Sequence, residues 1–342
     1  MVSLRLPPTP TIRDIIKLYR LSAIKQLSQN FLMNEALTDK IVKSVGKIYN
    51  SQVLEVGPGP GGITRSILKK NPKKLIVVEK DQRFRPILDL MESIVSASDV
   101  DMTLIYNDIM SINTKDVFSF KDKKEWNDEC PNIFIVGNLP FSISTALIIK
   151  WLHAISKQKE AWSHGRVRMT LTFQKEVAER LVADVMGNQR CRLSVMAQTW
   201  TLPKLQFIIP GSAFVPKPDV DVGVVSFVPL KTPRTNHDFL FFEKVNRHLF
   251  SFRQKYCIKC AGTLFPMDRR KQLSTTMFKL AKINPGIRSF QLTVEEINRL
   301  VSAYKYLCEK HPEIVSYDYR ASKKIVSKKL TKSISVQDFT EN

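Results

Sequence analysis

Cysteine is scarce in this chain: five occur in 342 residues, at Cys130, Cys191, Cys257, Cys260 and Cys308. An odd, scattered set excludes a disulfide framework and points to a reducing compartment. Cys257 and Cys260 form a C-x-x-C, but no second pair or histidine cluster completes a zinc site. They read as ordinary helix residues, and no metal is expected. Long apolar runs are missing as well. None reaches the ~20 residues that span a bilayer, so no membrane partner is expected. The N-terminus lacks the apolar centre of a secretory signal, and no internal repeat is visible. Acidic residues are few beside basic ones, 32 against 53, which leaves a net charge of +21. Such an excess costs self-repulsion, so a polyanionic partner is the natural expectation. The competing reading is a basic enzyme that never meets nucleic acid. More than half of the surplus lies beyond Lys231.

What is present is enough apolar residue, 43% of the chain, for a sizeable core, and a length that can hold two domains. Residues 11–26 (TIRDIIKLYRLSAIKQ) have the pattern of a basic amphipathic helix. It resembles a mitochondrial presequence weakly, with Asp14 out of place, and a docking helix explains it equally well. Residues 35–45 and 63–70 are helical in pattern. Short β-branched runs fall at 52–56 (QVLEV), 74–78 (KLIVV), 101–106 (DMTLIY), 132–136 (NIFIV) and 168–173 (RMTLTF). Their alternation with helical stretches predicts a doubly wound α/β fold, its parallel strands buried on both faces. Polar residues close four of these runs: Gly57, Glu79, Asn107 with Asp108, and Gly137 with Asn138. They therefore meet where such folds bind ligands, in the crevice beyond the carboxyl ends of the strands. A helix is expected at 175–184, and a late strand pair at 203–210 and 220–228. The pattern breaks at 229–236 (PLKTPRTN). Helical periodicity follows at 239–250, 255–264, 270–282 and 294–311. This predicts a basic N-terminal helix over 1–27, a catalytic domain over 28–231 and a helical domain over 232–320. A lysine-rich tail over 321–342 is expected to be disordered.

Gly57-Pro58-Gly59-Pro60-Gly61-Gly62 satisfies G-x-G-x-x-G between a strand and a helix. Missing side chains let the backbone approach a ligand, with amides of the helix start facing it. Glu79 closes the next strand, where a carboxylate can accept both hydroxyls of a ribose. Both features suit NAD and S-adenosylmethionine alike. Glu55 separates them: in ExGxGxG it is expected near the ligand, awkward beside a pyrophosphate and acceptable beside a sulfonium and an amino group. Asp108 could accept from an adenine amino group, or serve as a helix N-cap.

Asn138-Leu139-Pro140-Phe141 follows the fourth strand. The exocyclic amine of adenine is a poor nucleophile because its lone pair is delocalised into the ring. The side-chain carbonyl of Asn138 and the backbone C=O of Leu139 can bind its two protons and localise the lone pair. This is catalysis by orientation and fixed dipoles, with no strong base required. Phe141 offers a stacking face for a flipped base. The alternative is a turn with a core phenylalanine.

These residues resemble a known family, the ribosomal RNA adenine N6,N6-dimethyltransferases. The matching stretches are QNFL at 29–32, EVGPGPGGIT, VVEKD at 77–81 and GNLPFSIST at 137–145. They continue with FQKEVAERLVA at 173–183, RLSVMAQ at 192–198 and SAFVPKPDVD at 212–221. In family order they cover most of residues 25–230, and the combination is specific although each piece alone is not. The QKEVAERL and AFVPKPDVDVGVV stretches look most like mitochondrial members, one of which is also described as a transcription factor. Two departures stand out: Ala146 where relatives often have proline, and the lack of an arginine-rich lead.

The resemblance implies a Rossmann-like methyltransferase fold with a smaller C-terminal all-helical domain, and S-adenosyl-L-methionine as cofactor. Gln29, Asn30 and Leu32 would form a lip over the methionine end of the cofactor. Gly57 and Gly59 would face its sulfonium, Glu79 its ribose, and Lys80, Asp108 and Ile109 its adenine. Asn138 would bridge cofactor and target amine, and Phe214 would be a second wall of the base pocket. The implied substrate is two adjacent adenines in the 3′-terminal hairpin loop of small-subunit ribosomal RNA, free or in an assembling subunit. A monomer acting in the mitochondrial matrix is expected. The alternative is a nucleic-acid-binding factor of the mitochondrial transcription machinery. In the helical domain, FSFRQKYCIKC resembles the family's basic RNA-contacting helix. Arg247, Arg253, Lys255 and Lys259 are spaced so that several could share one helical face, with Arg253 and Lys255 as RNA contacts.

Overall fold

The computed structural model describes Asp14 and residues 30–319. The expected N-terminal helix, the basic tail and Gln29 lie outside the described residues. In chain order the strands are β1 (Phe31–Leu32), β2 (Gln52–Val56), β3 (Lys74–Glu79), β4 (Asp101–Tyr106) and β5 (Ile133–Gly137). They continue with β6 (Arg168–Gln174), β7 (Thr201–Ile209), β8 (Phe214–Val215) and β9 (Val222–Pro229). Seven of them form one sheet in the order β4-β3-β2-β5-β6-β9-β7. The first five of that row run parallel, and β9 is antiparallel to both β6 and β7. Every residue of β2 and β5 is buried, as expected of β-branched strands covered on both faces.

The helices between the strands are α1 (Glu35–Val45), α2 (Gly62–Leu68), α3 (Arg85–Val95), α4 (Phe141–Ser156), α5 (Lys175–Val182) and α6 (Arg192–Trp200). The Asn34 side chain caps α1 by accepting from the Leu37 amide. Ile41, Val42, Ile63, Ile67, Ile87 and Leu88 from α1, α2 and α3 pack in one cluster with Val53, Leu75, Val77, Phe134 and Val136 from the strands. Periodicity marks α1, α2 and α5 well but not α4. The α4 sequence, FSISTALIIKWLHAIS, is apolar on more than one face, which blurs the 3.6-residue period.

The described chain divides into two compact units, one reaching to Ala183 with Met196–Pro233 added, the other Asp184–Val195 with residues 234–319. This corrects the expectation of an uninterrupted catalytic domain over 28–231, because residues 184–195 belong to the second unit. The buried guanidinium of Arg190 donates to the Leu292 carbonyl at 3.0 Å, the Met186 amide donates to the Phe290 carbonyl, and Asn246 donates to the Arg192 carbonyl. Arg192 also pairs with Glu243 at 2.8 Å. The rest of the second unit is helical: α7 (Phe239–Leu249), α8 (Cys257–Ala261), α9 (Arg270–Ala281) and α10 (Val294–Lys310). Thr293 and Glu296 form a capping box at the start of α10. Cys257 and Cys260 lie buried on α8 as free thiols. Among the described residues, no helix is long and apolar enough to cross a membrane.

Candidate active site

β2 is the switch point of the sheet, because the chain leaves it in one direction to β3 and returns on its other side as β5. Val56 pairs with Gly137 across β2 and β5, so Gly57 and Asn138 are the first residues beyond two adjacent strand ends. The glycine loop and the NLPF tetrapeptide therefore face one crevice. Gly57 and Gly59 have φ of 68° and 54°, which side chains rarely tolerate. That geometry aims the Gly59 amide at Glu79, whose Oε2 accepts it at 3.0 Å, while Oε1 accepts the Asp81 amide at 2.8 Å. Burial pushes the Glu79 carboxyl up, and these two amides pull it back toward the charged form. The carboxylate is thereby held in one orientation at the end of β3.

Two adjoining clefts open here. One is lined by Asn30, Phe31, Leu32, Gly59, Asn138, Leu139, Phe141 and Phe214. The other is lined by Lys80, Asp81, Asn107, Asp108, Ile109 and Ser142. Gly57, Glu79 and Pro140 line both, so the two form a single trough. The structure thus brings together every expected cofactor and base residue of this domain that it describes, with one exception treated below. Lys80 and Asp108 pair at 2.8 Å across the far cleft. Lys80 and the Met110 amide hold Asp108 below its ordinary pKa, and that amide bond at 2.9 Å makes Asp108 the cap of a turn, not of a helix.

The near end is tied by a ribbon that sequence patterning does not show. β1 and β8 pair antiparallel, Phe31 opposite Val215 and Leu32 opposite Phe214. The residues expected as the lip and as the second wall of the pocket are therefore joined by one backbone ladder.

Asn138 is clamped on both sides. Its Nδ2 donates to the Asn30 carbonyl at 3.1 Å, and its Oδ1 accepts from the Thr172 hydroxyl at 2.8 Å. A backbone carbonyl can only accept, so the amide orientation is fixed by Asn30 and needs no assumption. Thr172 sits fully buried on β6. Reading the sequence did not single it out; its only trace is a hydroxyl between two apolar residues of a buried strand.

Glu55 departs from expectation. It shares a side of β2 with Val53, and period-two alternation turns both toward the face covered by α1 and α2. Glu55 is 1% exposed and lines neither cleft. Neither carboxyl oxygen completes a hydrogen bond, and burial pushes its pKa up to about 8 although Thr64 lies close enough to oppose the shift. Burial thus favours its protonated form, and it sits in the core and not in the lining of the trough. The basic quartet also needs correction. Several were expected to share one helical face, but Arg247 lies on α7, Lys259 on α8, and Arg253 and Lys255 in the turn between them, so no two of them lie on the same helix. All four are exposed.

A mixed seven-stranded sheet with a glycine loop at its switch point and an NLPF corner on the neighbouring strand defines a Rossmann-like methyltransferase. The chain belongs to the ribosomal RNA adenine dimethylase family, whose model matches residues 20–305. It is 52% identical over 321 residues to "Dimethyladenosine transferase 1, mitochondrial" of Drosophila pseudoobscura pseudoobscura, covering 94% of this chain and 93% of that one. It is 49% identical to the protein of the same name in Homo sapiens, covering 92% and 90%. Among solved structures, a dimethyladenosine transferase from Plasmodium falciparum superposes with a TM-score of 0.61 at 20% identity, covering 81% of this chain and 98% of that one. That last likeness bears on the fold alone. By its family, this chain is an rRNA adenine N6,N6-dimethyltransferase.

Proposed function

We propose that the protein uses S-adenosyl-L-methionine to dimethylate two adjacent adenines in the 3′-terminal hairpin loop of mitochondrial small-subunit rRNA, as a monomer in the matrix, during assembly of the small ribosomal subunit. The observation that carries this is the clamped amide of Asn138 in the lining of the near cleft, which shares Gly57, Glu79 and Pro140 with the far one. The trough fits the cofactor by its own chemistry. Gly57 and Gly59 present bare backbone, Glu79 is an oriented acceptor for a ribose diol, and Ile109 with the Lys80–Asp108 pair suits an adenine. Asn30 and Leu32 would cover the methionine end, with Gln29 next to them in the chain. When bound, the cofactor supplies an electrophilic methyl group.

The chain's own residues do the rest. Phe141 and Phe214 line the near cleft and would hold an extruded base between them, which costs least for the unpaired bases of a hairpin loop. Oδ1 of Asn138 spends one lone pair on Thr172 and retains the other for an amine proton. The Leu139 carbonyl would take the second proton. Fixed acceptors of this kind raise the nucleophilicity of the amine without any reorganisation at the moment of reaction. Pro140 shapes the corner that aims them. Arg253 and Lys255 would bind phosphates.

The test is primer extension on small-subunit rRNA from cells lacking their own dimethylase and complemented with this chain. Dimethylated adenine blocks the polymerase, so paired stops in the hairpin loop are expected, and Asn138→Ala should abolish them. Absence of stops with the unaltered chain refutes the proposal. A separate role as a factor of the mitochondrial transcription machinery would instead leave Asn138→Ala functional in cells.

A further inference from the structure

The turn between α7 and α8 carries two aromatic rings that the chemistry does not use. Phe252 is 43% and Tyr256 51% exposed. Leaving large apolar rings in water forgoes burial free energy, so their presentation on the surface asks for a reason. The backbone beneath them is well anchored. The Lys255 amide donates to the Phe252 carbonyl at 3.0 Å, and the Cys260 thiol donates to the same carbonyl at 3.3 Å. Tyr256 forms an antiparallel bridge with Arg288, and the next amide, Cys257, donates to Ile287 at 2.7 Å. The rings thus stand on a fixed turn.

Their surroundings name the partner. Exposed Arg253 and Lys255 lie between the two rings along the turn, and exposed Lys259 follows on α8. No Asp or Glu occurs between Glu243 and Asp268. A protein-binding patch is typically depleted of charge at its centre, especially of lysine. Two rings flanking cations, in a stretch of chain without an acid, match single-stranded nucleic acid instead, where bases stack on aromatics and phosphates meet cations.

We infer that Phe252 and Tyr256 are a stacking platform for unpaired RNA bases, with Arg253 and Lys255 gripping the phosphates beside them. The inference rests on the RNA-directed reading above and adds a second point at which unpaired bases are recognised. It gives the turn a preference for looped over fully paired RNA that cations alone cannot supply, since phosphates occur in both.

The experiment uses the full chain and two synthetic RNAs with equal phosphate number, a hairpin with an unpaired loop and a blunt duplex. Affinity is measured over a series of salt concentrations. Phe252→Ala and Tyr256→Ala should each weaken hairpin binding roughly tenfold at every salt concentration, without altering the slope of log affinity against log salt. Duplex binding should hardly change. Phe252→Leu, which keeps apolar bulk but lacks a π face, should behave like Phe252→Ala, and Tyr256→Phe like the unaltered chain. Arg253→Ala should instead reduce the salt slope by about one. Unchanged hairpin affinity in both alanine variants, or equal losses on hairpin and duplex, overturns the platform. So does a concentration-dependent dimer of the unaltered chain that either alanine variant abolishes, which would assign the rings to a second copy. If the unaltered chain binds neither RNA, the RNA-directed reading itself falls.

Discussion

A single amide decides the chemistry proposed here, and two neighbours decide the amide. Asn138 was legible as a motif residue, because NLPF after a strand is a recognisable string. Its orientation was not, since Thr172 lies 34 residues away and Asn30 a further distance on the other side. Long-range hydrogen bonds leave no local trace. Removing the Thr172 hydroxyl while keeping its shape should free Oδ1 on one side and let the amide rotate. Thr172→Val is therefore expected to lower kcat about five- to tenfold, the worth of one hydrogen bond of roughly 1 kcal/mol, with cofactor affinity unchanged by calorimetry. Thr172→Ser should recover most of the rate. A matching loss of cofactor affinity would show that the residue merely supports the fold. Glu55 teaches the opposite lesson, because its motif position suggested a ligand contact and strand alternation buried it. In the unfolded chain it ionises near 4.5, whereas the folded chain holds its proton up to about 8. Between those values the folded state binds more protons than the unfolded state, so stability falls as pH rises and levels off above about 8. Glu55→Gln removes this loss. The melting temperature of the variant should gain on that of the unaltered chain steadily from pH 5 to pH 8, and a constant difference over that window would contradict the assignment.

At the level of elements, strands were the easiest part to read. QVLEV, KLIVV and NIFIV are short, β-branched and closed by polar residues, so both their burial and their common end follow from composition. The β1–β8 ribbon was invisible because two residues per strand carry no periodicity, yet it ties Leu32 to Phe214. The segment Asp184–Val195 escaped for a related reason. Its residues lie in sequence between two pieces of the catalytic unit, and long-range bonds such as those from the buried Arg190 to the Leu292 carbonyl reveal where it belongs. Arg190→Ala would leave that carbonyl without its charged donor. A loss of about 2–3 kcal/mol of stability is expected, in line with a hydrogen bond to a charged group. Chemical denaturation would measure it. Cofactor affinity of the folded protein should be unaltered, because the trough is built wholly from the other unit.

For the whole molecule, charge is the most telling property and was readable from composition alone. A surplus of 21 positive charges is costly to hold in one chain and does nothing for a cofactor cleft whose lining includes Glu79, Asp81 and Asp108. On the proposed function it serves the RNA. Binding to phosphates by Arg247, Arg253, Lys255 and Lys259 would release counterions, about 0.7 to 0.9 per contact. If those four residues make the contacts, log affinity for RNA should fall against log salt with a slope of roughly −3. Cofactor affinity, governed by oriented hydrogen bonds in a partly closed trough, should vary far less over the same range. Titrating both ligands from low to physiological salt separates the two. A cofactor affinity that falls as steeply as RNA binding would mean that the basic surface reaches into the reaction cleft, and the separation of holding from chemistry would have to be given up.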